Sequence, residues 1–399
     1  MTFLKSLYRK KRKNETFIRY ISYLLHLWMG LLSCIVVMVI CIAGCLYAFK
    51  NQIIDFANYD HARVRAVGLN PQTLSQVQLE LGKRNQILTS LIIHDNPARS
   101  WIVSYKEQNV DKTAYYDPYI GQVKGYPDTG SSRFFEIVLD LHRNLMMGNV
   151  GRQIVGASAL VFCFLLISGL VLWLPKKLKH LKQALTIKTS AKWARFNYDL
   201  HNTLGFYTCL VLFFIAVTGL YITYPWMKNA LIVSLGGSSV AEATAIGSAA
   251  GDDAFDKLMS DMIERQKEKK QKAAEVVSLD DIRNLADQKL NYMAVTSITL
   301  PNDENPRYTI IKTNTENFFG MMLPDELTFD KEGKLKTINL FSDLPLDKQF
   351  TTLAKPLHTG EIMGLKSVVL YFIVCLIGFS LPITGFVIYW HRYKKNTKL

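Results

Sequence analysis

The sequence predicts a membrane α-helical fold: a four-transmembrane-helix bundle made from two tandem helix-domain-helix repeats, carrying two small α+β domains outside the bilayer. Three observations predict it. The chain holds four long apolar runs, its basic residues cluster beside particular ends of those runs, and its histidines and glycines recur at matching places in the two halves.

The apolar runs set the class. Hydrophobic residues make up 49% of the chain, and they are gathered into residues 27–49, 154–174, 203–224 and 367–390, none of which contains Asp, Glu, Lys or Arg. About 20 such residues cross a hydrocarbon core of roughly 30 Å as a helix. The first run follows basic residues, as a secretory leader does. It is too long for a leader's apolar region and lacks a small-x-small cleavage site, so it reads as a retained anchor.

Charge orients the helices. The segment before the first helix (Lys5, Arg9, Lys10, Lys11, Arg12, Lys13, Arg19), the short loop after the second (Lys176, Lys177, Lys179, Lys182, Lys188, Lys192, Arg195) and the tail (Arg392, Lys394, Lys395, Lys398) hold 18 basic residues against two acidic ones. Positive-inside bias makes all three cytoplasmic. The net charge of +14 is therefore a topology signal. A nucleic-acid partner is not expected, because the charge outside these segments is slightly negative instead of gathered on one soluble face.

The resulting organisation is a cytoplasmic segment (1–25), a first span (26–49), an outer domain (50–141), a second span with its histidine-bearing approach (142–174), a cytoplasmic loop (175–200), a third span (201–224), a second outer domain (225–357), a fourth span with its approach (358–391) and a cytoplasmic tail (392–399). In the first outer domain residues 74–86 suit a helix and 90–94, 100–106 and 113–116 suit strands, followed by a turn at 117–121. In the second, Ser278-Leu279-Asp280-Asp281 is a good helix start for residues up to about Leu290, and 294–300, 307–313 and 327–330 suit strands. Residues 236–253, rich in Gly, Ser and Ala, and the charged run 264–272 read as surface connections.

Internal duplication is the main organisational signal. Aligning His26 with His201 superposes Gly30 on Gly205, Cys34 on Cys209 and Gly44 on Gly219; aligning His142 with His358 superposes Met147-Gly148 on Met363-Gly364 and Ser168-Gly169 on Thr384-Gly385. Spans one and three start in the cytoplasm, so His26 and His201 share a level near the inner leaflet. The other two spans start outside, so His142 and His358 share a level near the outer one. One histidine at a helix end is ordinarily an interfacial residue bonded to water or a carbonyl. Two depth-matched pairs are what bis-histidine ligation of haem iron needs.

Glycine spacing agrees with a flat ligand. Gly30 and Gly205 lie one turn from their histidines and remove side chains on that face. Gly44 and Gly219 follow His26 and His201 by 18 residues, about five turns and about 27 Å, which returns them to the same face near the opposite leaflet, where they would border a second haem. The 27-residue interval from His142 to Gly169, if continuously helical, points the glycine to the opposite face, so either Met147-Gly148 breaks that helix or Gly169 serves helix packing. His391 has no counterpart in the first half and reads as an interfacial anchor, or as the substitute if an inner histidine is not a ligand. His61, His94 and His180 read as surface residues. All six cysteines fall in the apolar runs and read as packing residues, and no Cys-x-x-Cys-His occurs, so any haem is b-type.

Three phrases carry a family resemblance: Tyr115-Tyr116-Asp117-Pro118-Tyr119-Ile120-Gly121-Gln122-Val123, Leu141-His142-Arg143-Asn144-Leu145-Met146-Met147-Gly148, and Pro356-Leu357-His358-Thr359-Gly360. With the two His-x-x-x-Gly helix starts, they resemble the PepSY-associated transmembrane helix (PepSY-TM) family of bacterial iron-regulated membrane proteins, over nearly the whole chain. The second outer turn, Phe329-Asp330-Lys331-Glu332-Gly333, is an altered version of the family phrase, and the first outer domain is short. The resemblance implies PepSY-like periplasmic domains, the bacterial inner membrane, and a haem-containing ferric-siderophore reductase with His142 and His358 as outer ligands and His26 and His201 as inner ones.

The expected activity is an inner-membrane dihaem oxidoreductase. It passes electrons across the bilayer to a periplasmic ferric siderophore or other ferric chelate, from which iron leaves as Fe(II). No Gly-x-Gly-x-x-Gly phrase follows a strand, so the donor is expected to be a quinol or a separate reductase. The competing reading is a non-enzymatic PepSY membrane protein that binds a periplasmic protein or peptide.

Overall fold

The computed structural model describes residues 10–13, 15–238, 278–302 and 305–397. The charged run 264–272, most of the Gly/Ser/Ala stretch 236–253, and Lys5, Arg9 and Lys398 lie outside the described residues. In chain order the principal elements are α1 (Phe17–Ala48), α2 (Leu74–Gly82), β1 (Ile87–Ile93), β2 (Trp101–Glu107), β3 (Val110–Asp117), β4 (Gln122–Gly125), α3 (Thr129–Asn144), α4 (Gly148–Trp173), α5 (Trp193–Thr223), α6 (Leu279–Lys289), β5 (Thr296–Thr299), β6 (Tyr308–Asn314), β7 (Leu323–Phe329), β8 (Leu335–Asn339), α7 (Leu346–Thr359) and α8 (Leu365–Thr397). They divide into a helical unit (Met1–Asn51, Arg133–Lys228, Ala354–Leu399) and a sheet unit (Gln52–Ser132, Asn229–Leu353).

In the helical unit α1, α4, α5 and α8 are each long and apolar enough to cross a membrane. They form a ring in which α1 and α5 each pack against both α4 and α8. The interior is small: Leu166, Leu212 and Val374 are buried, with Phe162, Cys209, Ile215 and Leu381 packed around them. Leu32, Ile35, Leu210 and Phe214 face outward, as expected where lipid is as apolar as the core and packing holds the helices together.

Arginines close the span ends. Arg19 donates from Nη1 to the Leu174 carbonyl at 2.8 Å and from Nη2 to that of Leu172 at 2.7 Å, satisfying carbonyls that the end of α4 leaves without intrahelical partners. Its cation also suits the negative end of the helix dipole. Arg152 does the same for α5, donating to the Thr223 carbonyl at 2.6 Å.

Two further helices were not anticipated. α3 and α7 are amphipathic and carry His142 and His358 in their last turns. Each ends in a left-handed break: Leu145, Met146 and Gly148 have φ of 52°, 57° and 57°, and Gly360 and Gly364 have 81° and 63°. Glycine takes that conformation freely, whereas Leu145 and Met146 do so at a cost. The broken-helix alternative at Met147-Gly148 is thus the one observed.

The sheet unit contains a feature absent from the expected pair of domains. Each long connection supplies a helix, as expected, and a meander of four strands where three were expected, and the two meanders join into one eight-stranded antiparallel sheet in the order β4-β3-β2-β1-β5-β6-β7-β8. The seam is β1 against β5, with Ser90 opposite Thr299 and Ile93 opposite Thr296. One hydrophobic core runs under both meanders, including Leu74, Val77, Leu91, Val103 and Tyr116 from the first and Ile282, Ile298, Ile310, Leu327 and Phe329 from the second.

Helices α2 and α6 of the sheet unit each begin with a capping box, Thr73 with Gln76 and Ser278 with Asp281, which satisfies two orphan backbone donors at each start. Asp280 also reaches across the seam and accepts from the Leu74 and Ser75 backbone N–H groups at 2.7 and 3.1 Å. Burial pushes its carboxyl up, but the hydrogen bonds from Ser75 and Leu74 outweigh it and hold the group below its ordinary range. The expected strands are present with shifted ends, and β4 and β8 are additional; both are short strands at the sheet edges.

Candidate functional site

The helical unit brings the four singled-out histidines into two pairs. His26 of α1 and His201 of α5 have ring centres 6.3 Å apart with planes at 89°. His142 of α3 and His358 of α7 have ring centres 6.0 Å apart with planes at 57°.

Each ring rests on a glycine of a neighbouring helix. A Cβ added at Gly169 of α4 would lie 3.2 Å from His26 Cε1, and one at Gly385 of α8 would lie 3.2 Å from His201 Cε1. A Cβ at Gly44 of α1 would lie 3.4 Å from His142 Cε1, and one at Gly219 of α5 only 2.9 Å from His358 Cε1. The seats lie within each half of the helical unit: α1, α3 and α4 seat His26 and His142, while α5, α7 and α8 seat His201 and His358. The pairs, in contrast, are made between halves.

Hydrogen bonds fix the tautomer. His142 Nδ1 lies 3.0 Å from the Ile40 carbonyl and His358 Nδ1 3.0 Å from that of Ile215. A carbonyl can only accept, so both rings carry their proton on Nδ1. His26 Nδ1 lies 3.0 Å from Ser168 Oγ, and His201 Nδ1 2.9 Å from Thr384 Oγ1. Both hydroxyls already donate to their own helix, Ser168 to the Leu165 carbonyl at 3.2 Å and Thr384 to that of Ser380 at 3.0 Å. They therefore accept from Nδ1–H as well. In all four rings Nε2 keeps the lone pair that binds metal, the arrangement by which a partner on the other nitrogen orients a ligating imidazole.

The spacing suits coordination. Two imidazoles on opposite sides of one metal ion, each nitrogen about 2.0 Å from it, have ring centres about 6 Å apart. Among the described residues no group of three or more His, Cys, Asp or Glu side chains could share a metal ion, so each pair offers two opposed ligands only. A metal held between either pair would have to bring its remaining donors with it.

His26 and His201 line a cavity of about 590 Å³ together with Gly30, Gly169, Gly205 and Gly385, within the size of a small-molecule or cofactor site. Gly30 and Gly205 do line this space as expected, although a Cβ on either would make only ordinary contact, with Leu165 at 3.8 Å and Leu381 at 3.7 Å. Gly44 and Gly219 act more directly than expected, as the seats of His142 and His358. Gly169 and Gly385, together with Ser168 and Thr384, were not anticipated as site residues; their signal was the Ser/Thr-Gly dipeptide repeated in the two halves.

The remaining histidines lie apart from these pairs. His391 is exposed, and its helix contributes Tyr389 and Arg392 to the cavity instead. His180 is exposed as expected. His61 and His94 are partly buried, which corrects their reading as surface residues: His61 stacks on Tyr115 at 6.5 Å, and burial, followed by the Arg99 charge, pushes the His94 imidazole down.

A family model described as the PepSY-associated TM region matches residues 23–392. No curated protein matches the sequence. The matched span contains both histidine pairs and all four of their glycine seats, and the chain belongs to the family of proteins with a PepSY-associated transmembrane region.

Proposed function

We propose that the chain is a b-type dihaem oxidoreductase of the bacterial inner membrane, built from two tandem helix-domain-helix repeats, that reduces a ferric siderophore or other ferric chelate in the periplasm. The observation that carries this reading is the pair of opposed imidazole sets at 6.3 and 6.0 Å, each ring held through Nδ1 with Nε2 left for metal. Two haems bound there would supply one-electron Fe(III)/Fe(II) chemistry at two places in the helical unit.

The residues of the chain have separable tasks. His26 and His201 hold the cytoplasmic-side site, and His142 and His358 the periplasmic-side site. Gly44, Gly169, Gly219 and Gly385 let the rings approach the helix backbones. Ser168, Thr384 and the Ile40 and Ile215 carbonyls hold each Nδ1 proton and so aim Nε2. Leu166, Leu212 and Phe162 keep the interior dry. The substrate is the ferric ion of an external chelate, which leaves oxygen ligands more readily as Fe(II). The electron donor is a membrane quinol or a separate reductase.

A second reading, that the sheet unit binds a periplasmic protein or peptide, is favoured by one observation. Phe318 and Phe319 are 95% and 60% exposed on the β6–β7 connection, where Asn317 braces the backbone by accepting from Met321 N–H and donating to its carbonyl.

An absorption spectrum tests the first reading. Detergent-solubilised protein expressed with ample haem should show a Soret band, which dithionite shifts; absence of any Soret band removes the reductase. In vesicles, the loaded protein should reduce some members of a panel of ferric chelates, and reduction of none would leave only the partner-binding reading.

A further inference from the structure

We propose that the residue immediately before each seat glycine is a positioning residue for the imidazole above it, and that Ala43, in that place beneath His142, makes His142 the most electron-donating ligand of the four. The inference rests on the reading of the two pairs as axial ligands.

The four seats share one construction. In each, the histidine ring lies over a glycine, and for His142 and His358 the ring Nδ1 reaches the peptide oxygen four residues before that glycine, Ile40 before Gly44 and Ile215 before Gly219. The missing side chain opens that carbonyl to the ring. What varies is the intervening position next to the glycine, which is Ser168, Thr384, Thr218 or Ala43.

Three of these bear a hydroxyl that meets Nδ1, at 3.0 Å for Ser168, 2.9 Å for Thr384 and 3.2 Å for Thr218. Thr218 Oγ1, like the other two, gives its own proton to its helix, to the Phe214 carbonyl at 2.8 Å, and presents a lone pair to the ring. His26 and His201 thus give their Nδ1–H to a hydroxyl, and His358 divides its own between the Thr218 hydroxyl and the Ile215 carbonyl. His142 gives its proton to the Ile40 carbonyl alone.

The difference has an electronic consequence. A peptide carbonyl is a stronger acceptor than an alcohol oxygen. An undivided Nδ1–H···O=C bond draws the proton away from the ring most effectively and makes Nε2 most basic, which favours Fe(III) over Fe(II). It also has a mechanical one, since a ring tethered to two acceptors has less freedom to turn about its Cβ–Cγ bond than a ring tethered to one.

The test is a redox titration, with low-temperature EPR of the ferric protein, on Ala43→Ser, Thr218→Val and Thr218→Ser. Ala43→Ser gives His142 a second acceptor and should raise the midpoint of the His142–His358 site. Thr218→Val keeps the shape, removes a hydroxyl and should lower the same midpoint. Each shift should be of the order of tenfold in the ratio of oxidised to reduced haem, about 59 mV for one electron. Thr218→Ser should return the wild-type value, and the other site's midpoint should not move. Haem-loaded variants whose midpoints and EPR spectra stay unchanged, or that shift in the same direction, overturn this proposal and leave the reductase reading intact. Wild-type protein without haem overturns the reductase reading itself.

Discussion

The two histidine pairs reach one geometry by different routes. His26 and His201 sit inside the long helices α1 and α5, so their positions follow from how whole spans pack. His142 and His358 sit in the last turns of α3 and α7, and a left-handed break then frees the chain to start α4 and α8 in another direction. The first pair is therefore part of the packed bundle of spans. The second is set by a helix break, and depends on local backbone that a single substitution can disturb.

The largest test of that difference is ligand removal. His142→Ala and His201→Ala should each lower the haem content of the purified protein by one equivalent of two, measured by pyridine haemochromogen; loss of neither would break the pairing itself.

Next in size is the seat. A Cβ at Gly219 would stand 2.9 Å from the His358 ring, against 3.4 Å at Gly44 from His142. Gly219→Ala should destabilise its site by about 1–3 kcal/mol through overpacking, whereas Gly44→Ala is tolerated. Haem retention against a competing apo-acceptor would separate them, and equal loss from both would show that the seats are not tight.

Near-symmetry in the sheet unit gives a smaller effect. Asp280 caps α2 across the seam, so Asp280→Ala should lower stability by about 1 kcal/mol. Because the folded carboxyl lies below its ordinary range, its contribution is present above the unfolded pKa and is lost as pH falls through the folded one. Thermal melts of wild type and Asp280→Ala should converge in acid, and parallel curves would remove the assignment. The smallest effect is spectroscopic: ring planes at 89° in one pair and 57° in the other should give two distinct low-spin ferric EPR signals, the more anisotropic from His26 and His201.

Much of this was legible in the sequence, for physical reasons that differ by region. The spans were visible because uncharged runs of that length have few other uses, and the histidine levels followed from counting helix directions. α3 and α7 were not visible, because an amphipathic helix of modest hydrophobicity beside an apolar run resembles a loop end. The seats of His26 and His201 were missed because Gly169 and Gly385 lie more than 140 residues from the rings they carry, and a contact between helices leaves no periodic trace. The β1–β5 seam was missed for the same reason. Alternation marks a strand and says nothing about which edge it joins.

That seam governs the order in which the protein can be made. β1 acquires its second neighbour only when β5 appears, about 200 residues later in the chain, roughly 10–40 s at ordinary rates of synthesis. Until then the first meander offers an unpaired edge over half a core, an invitation to pair with another nascent chain. Membrane insertion of α4 and α5 falls within that interval, so completion of the sheet is a late checkpoint. A chain cut short after the second span would keep its anchors and still be left with a sticky half-domain.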